Sequence, residues 1–200
     1  MVLLDDELRD YRARRQEMDR QGAYFLGDIT EEQAEKFNKS LLVMATDRAG
    51  RPNDPIRVFI TSGGGSIGAG FSIIEMMNRM RRTYNVRITT FVNGYAYSMG
   101  AIIFQAGDRR VLGPYSTMML HGAAWAVTGQ DDQVFRDLAK LSRMYRSQVG
   151  ELFAQRTGRQ DAKWWERYIY SGRDKYLSAH ECLELGLADE ITEPVAWRPV

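Results

Sequence analysis

Short β-rich runs alternate with helical patterns along most of this chain, and that alternation restricts the fold more than any other feature. AYFL at 23–26, RVFIT at 57–61 and VRITTFV at 86–92 are rich in the β-branched and aromatic residues that favour strands. Between them, 30–45 and 67–82 carry apolar residues at the three-and-four spacing of an amphipathic helix. Strands separated each time by a helix are not hairpin partners, so the rhythm predicts βαβ units and a parallel layer. Thr30 with Gln33 three residues on predicts a capping box, and RAGRPNDP at 48–55 predicts a loop.

Beyond Val92 the sequence NGYAYSMGAIIFQAGD predicts a turn leading into a small-residue helix from about Ser98 to Gln105, buried on most sides. RRVL and STMMLH predict two further short strands. From Asp131 to Arg156 the residues Val134, Phe135, Leu138, Leu141, Tyr145, Val149, Leu152 and Phe153 recur at helical spacing and predict one long amphipathic helix, long enough to protrude from a domain of this size. A turn is expected at Ser171–Asp174, and Ser178 with Glu181 opens a short helix that stops at Gly186. The chain divides into a charged arm at 1–20, one globular domain at 21–193 and a tail at 194–200.

Composition removes several functions. With 27 Lys and Arg against 26 Asp and Glu the net charge is +1, so no bulk field draws a polyanion or an anionic membrane, and neither nucleic acid nor membrane is an expected partner. A single cysteine, Cys182, makes no internal disulfide, and with two histidines, His121 and His180, it assembles no usual zinc site; the expected chemistry is free of metal and cofactor. The charged start lacks a secretory h-region and no apolar run reaches membrane-spanning length, so a soluble cytoplasmic protein is expected.

Three stretches carry candidate chemistry. TSGGGSIGAG at 61–70 lies after a strand and before a helix, where glycines expose backbone N–H groups to an anion or a developing oxyanion. Gly63, Gly65 and Gly68 also fit a dinucleotide fingerprint, but the next strand ends in Val92 and Asn93 and not in the acidic residue such a site requires. GYAYSMGA at 94–101 places Ser98 on a strand-to-helix corner, as a nucleophile or as an ordinary helix cap. His121 ends an apolar strand, the kind of rigid position from which an imidazole takes a serine proton, though a rim histidine reads the same way.

Taken in order, SGGGS, GYAYSMGA, MLHG, the helix with FAQRTG, and RDKYLSAHECLELGLAD resemble the proteolytic subunits of Clp proteases over about Tyr24 to Ile191. The resemblance implies an α/β fold, a ClpP/crotonase-like repeated ββα superhelix with a protruding handle helix. It implies Ser98 as nucleophile and His121 as general base of a self-compartmentalising serine endopeptidase. Gly64 and Met99 would be the oxyanion N–H donors, and Gly65, Ile67 and Ala124 would contact an unfolded polypeptide substrate. The implied assembly is stacked heptameric rings, homo- or hetero-oligomeric, with ATP entering only through a Clp-family ATPase.

The chain departs from the family pattern at the third catalytic position, normally Asp, which falls on Tyr170 when counted back from Arg173 and Asp174. A tyrosine hydroxyl can orient an imidazole but is neutral at pH 7; Asp174, or a carboxylate from a neighbouring chain, is the other way to fill the place. Ile169 stands where the family has an interface arginine. These departures keep a second function open, a catalytically silent ring subunit beside an active paralogue, and the shared fold a third, binding of an acyl-CoA.

Overall fold

The computed structural model describes residues 13, 16–122 and 132–193. The substrate position Ala124, most of the charged arm and the whole 194–200 tail lie outside these residues.

Seven strands form one sheet. β1 (Ala23–Leu26), β2 (Ile56–Ser62), β3 (Ile88–Tyr97), β4 (Arg109–Leu112) and β7 (Glu190–Ile191) follow one another in space, all parallel. The helices are α1 (Glu31–Asp47), α2 (Ile67–Tyr84), α3 (Met99–Gln105), α4 (Asp132–Thr157), α5 (Ala162–Ile169) and α6 (Ala179–Glu184). The βαβ rhythm predicted from sequence is the one observed, and the whole is a mixed α/β fold of the kind the resemblance implied.

Local chemistry sets the element ends. Thr30 caps α1 by accepting from the Gln33 N–H at 3.1 Å, and Ala34, Phe37, Leu41, Met44 and Ala45 form its buried stripe. α2 ends at Asn85, which takes the left-handed conformation (φ 50°) that asparagine tolerates. Ser178 and Glu181 form the predicted capping box of α6. In β2 alternate residues are buried under the helices, leaving Arg57, Phe59 and Thr61 on the opposite face. There Phe25, Phe59 and Phe91 stack across three strands, with centroids 5.0 and 4.9 Å apart.

One expectation is corrected. Residues 93–97, read as a turn, continue β3, which changes partners along its length. Residues 88–92 lie between β2 and β4, whereas Tyr95, Ala96 and Tyr97 pair in parallel with Thr117, Met118 and Met119 of β5 (Thr117–Leu120). The register with β2 slips between Ile60 and Ser62, so Asn93–Tyr95 bulge past Thr61. Ser116 holds the break, donating to the Val92 carbonyl at 2.7 Å and accepting from the Gly94 N–H at 3.2 Å. β6 (Lys175–Ser178) adds to β5 in antiparallel register.

The 26 residues of α4 span about 39 Å at the usual rise of ~1.5 Å per residue. Val149, Gly150 and Phe153 are buried against α5, where Gly150 admits the Ala162 carbonyl and Phe153 packs on Trp165 at 5.2 Å. Val134, Phe135 and Met144 stay exposed, so the N-terminal half protrudes as expected. No helix among the described residues is long and apolar enough to cross a membrane.

A buried arginine ties β4 to β7. Arg110 donates to both Asp189 carboxylate oxygens and to Gln105 Oε1, and the Gln105 amide donates to the Leu187 carbonyl at 3.0 Å. Burial works to raise the Asp189 pKa, but the Arg110 hydrogen bonds and charge, helped by Arg156, outweigh it and hold the carboxyl below its usual range. A carboxyl depressed on folding contributes stability that is full above the unfolded value of about 3.9 and is lost as pH falls through the lower folded value. Asp189→Asn is expected to cost about 2 kcal/mol at pH 7, less than a fully buried pair because Asp189 is partly solvated. Thermal melts should show a shallower acid decline below about pH 4 in the variant; an unchanged decline would contradict this account.

Candidate active site

Ser98 stands on the corner where β3 ends and α3 begins. Its backbone N–H donates to the Met119 carbonyl at 2.8 Å, extending the β3–β5 pairing by one bond, while its own carbonyl accepts from Ile102 in α3. Meeting both demands puts Ser98 at φ 52°, ψ −119°, a conformation that costs a non-glycine residue about 1–3 kcal/mol. The side chain makes no capping bond to α3. The hydroxyl is turned outward and is 2.7 Å from His121 Nε2, so the helix-cap reading does not hold.

His121 follows β5 directly, and β3–β5 pairing brings it beside the Ser98 corner although 23 residues separate them in sequence. Together with Ser98 it opens on a small cavity walled by Ile67, Met99, Ile102, Tyr145, Val149 and Tyr170. A groove of about 650 Å³ between α1 and α2 shares none of these residues. Ile67, expected from the resemblance to contact substrate, lines the small cavity with Ser98 and His121. Ile102, Tyr145 and Val149 were not foreseen as site residues, because helical spacing marks them only as core.

The glycine loop is held against Ser98 by the β1–α1 connection. Asp28 Oδ1 accepts from the Gly63 N–H at 2.7 Å, the Ile29 N–H donates to the Gly64 carbonyl at 2.7 Å, and the Ser66 N–H donates to the Ile29 carbonyl at 2.8 Å. Gly64 has φ 107°, and a Cβ there would sit 2.7 Å from Ser98 Cβ and 3.3 Å from the Met99 nitrogen. The expected donor role of Gly64 needs correction: its N–H is already given to Ser62 Oγ at 3.1 Å. Gly65 faces Ile29 as a parallel bridge partner, which directs its own N–H and carbonyl to the opposite edge, and that N–H has no acceptor among the described residues.

Tyr170 also differs from expectation. Its hydroxyl makes no hydrogen bond to His121; the ring lies against Gly122, where a Cβ would be 3.0 Å from Cδ1. Arg146 stacks over the ring at 5.3 Å and pairs with Glu166 at 3.2 Å. Burial pushes the phenol above its ordinary range, with Glu166 adding to the rise and Arg146 opposing it, so Tyr170 is uncharged at neutral pH. Its position at the C-cap of α5 fixes this packing and leaves the hydroxyl unused as an orienter. Ile169, in place of an interface arginine, is buried in the core. Among the described residues, the carboxylate found beside His121 Nδ1 is Asp174, whose Oδ1 lies 3.8 Å away.

A strained serine bonded to an imidazole beside a glycine loop is shared by many unrelated folds, so the geometry alone does not decide ancestry. The Clp protease family matches residues 7–195 of the 200. The chain belongs to the Clp protease family. An ATP-dependent Clp protease proteolytic subunit of Chlorella vulgaris is 32% identical over 165 residues, 82% of this chain and 78% of that protein. That of Ostreococcus tauri is 32% identical over 173 residues, covering 85% and 81%, and that of Oltmannsiellopsis viridis 30% over 159, covering 78% and 77%. Within this Clp protease frame, Ser98 and His121 are brought together by β3–β5 pairing, whereas Tyr170 stands apart from the imidazole nitrogens.

Proposed function

We propose that this chain is a Clp-type serine endopeptidase subunit in which Ser98 and His121 act on peptide bonds of unfolded polypeptides. The observation that carries this reading is the 2.7 Å contact between Ser98 Oγ and His121 Nε2, made by a serine held in a strained conformation with no capping bond. His121 takes the hydroxyl proton as Oγ attacks the carbonyl carbon, then gives it to the leaving amine; water, deprotonated by the same imidazole, releases the acyl group. The oxyanion is received by the Met99 N–H at the start of α3 and by the Gly65 N–H, whose neighbour at Gly64 is spent on Ser62. This chemistry needs no metal or organic cofactor.

The outward edge of Gly65–Ile67 supports substrate binding as an added strand, in which backbone groups supply the affinity and sequence tolerance follows. The apolar cavity beside Ser98 takes the side chain preceding the cleaved bond. The unpartnered apolar half of α4 and the Phe25–Phe59–Phe91 face support an assembly of stacked rings, heptameric by resemblance, fed by a Clp-family ATPase. Cys182 is buried and its thiol is pushed up to about 12 by burial, so it takes no part in this chemistry; the compartment proposed from the sequence is the cytoplasm.

A fluorophosphonate probe tests the reading directly. The assembled protein should become covalently labelled, with the adduct mapping to Ser98 and absent from Ser98→Ala. Failure to label, with rings assembled, would favour the silent ring subunit instead.

A further inference from the structure

We propose that Asp174 is the carboxylate that positions His121, replacing in space the acidic residue that the family pattern would put at Tyr170. This deepens the peptidase reading and rests on Ser98 and His121 forming its reacting pair. The sheet register brings Asp174 to the imidazole. β5 and β6 run antiparallel with Leu120 opposite Lys175, so one step further along the ladder His121 stands opposite Asp174. Their side chains accordingly meet, with Asp174 Oδ1 3.8 Å from His121 Nδ1 while Nε2 is on the serine.

Asp174 makes no other hydrogen bond or ion pair among the described residues. Among the described residues, Arg146 is paired with Glu166 and lies over the Tyr170 ring, Lys175 lies over the Tyr168 ring, Tyr145 and Tyr170 line the cavity wall, and Arg173, next to Asp174 in the chain, is exposed. At 3.8 Å the carboxylate stands beside the ring nitrogen, about 1 Å beyond hydrogen-bond length, and forms an ion pair only with a protonated imidazole. Catalytic contacts of this kind are often long in the free enzyme and tighten when substrate binds. The turn before Asp174 contains Gly172 at φ 80°. A carboxylate on Nδ1 selects the tautomer whose Nε2 is free to accept the Ser98 proton, and stabilises the imidazolium that follows.

The test compares Asp174→Asn, Asp174→Glu and Tyr170→Phe in the full-length assembled protein, using peptide hydrolysis across pH. Asp174→Asn should lower kcat on the order of 10²-fold, less than the ~10⁴ of a fully buried triad aspartate, with KM little changed and the acidic limb of the profile moved to lower pH. Asp174→Glu should recover much of the loss and return the limb, and Tyr170→Phe should leave the limb in place. Wild-type kcat and an unmoved limb in Asp174→Asn, with Ser98→Ala inactive, would overturn the positioning role and leave the peptidase reading standing. If the parent protein neither cleaves nor labels, that reading fails, and histidine NMR still decides the pairing. The chain has two histidines, and in Asp174→Asn the His121 titration should move to lower pH while His180, exposed on α6, stays; no movement of His121 overturns the proposal.

Discussion

Ser98→Ala is expected to lower peptide hydrolysis by a factor on the order of 10⁴ to 10⁶ while leaving the fold and assembly unchanged. The hydroxyl supplies the attacking oxygen, and the alternative nucleophile, a water held by His121, lacks the covalent route that splits acyl transfer into two easier steps. Structural cost is small because, among the described residues, Ser98 Oγ has a single partner, His121 Nε2, and caps nothing in α3. Alanine inherits the strained backbone at φ 52°, so its thermal stability should stay within about 1 kcal/mol of the parent. His121→Ala should lose a comparable factor, and the double variant should lose little more than either single one, since the two groups act as a unit. Full hydrolysis by purified Ser98→Ala rings would remove the serine peptidase reading altogether. Additive losses in the double variant would mean that the 2.7 Å contact is not the one used in turnover.

Much of this site was legible because its parts are local. The glycine loop, the strand-to-helix corner at Ser98 and the strand end at His121 each follow from a few neighbouring residues, as do the caps at Thr30 and Ser178. What escaped depends on pairing between segments distant in sequence. Residues 93–97 contain Asn and Gly and read as a turn, yet they continue β3 because Thr117–Met119, twenty residues on, supply a new partner strand. Tyr170 was assigned by counting along the chain, whereas the carboxylate beside the imidazole follows from the β5–β6 ladder, whose last pair, Leu120 with Lys175, leaves Asp174 next to His121. Gly64 illustrates a finer limit: sequence predicts an exposed amide in a glycine run, but it does not predict that Ser62, two residues earlier, turns its hydroxyl to accept that N–H.

Gly64→Ala should lower hydrolysis by about 10²- to 10³-fold and destabilise the protein by about 2 kcal/mol. Two independent costs converge there. At φ 107° an L-residue is strained whatever the space available, and the added Cβ would meet Ser98 Cβ at 2.7 Å and the Tyr97 carbonyl at 3.1 Å, neither of which is the far end of a flexible side chain. Relief requires the loop to withdraw from the Ser98 corner, which would separate the Gly65 and Met99 N–H groups proposed to receive the oxyanion. Gly68→Ala is the matched control, four residues along the same stretch, because a Cβ there meets nothing within 4 Å and the position lies in the first turn of α2. Alanine at 68 should raise stability by about 0.5–1 kcal/mol through helix propensity. Both variants are read by thermal melts and by fluorophosphonate labelling rates. Near-parental labelling of Gly64→Ala would show that the close approach of this loop to Ser98 is not what assembles the site, and the oxyanion donors would then have to be sought outside 62–66.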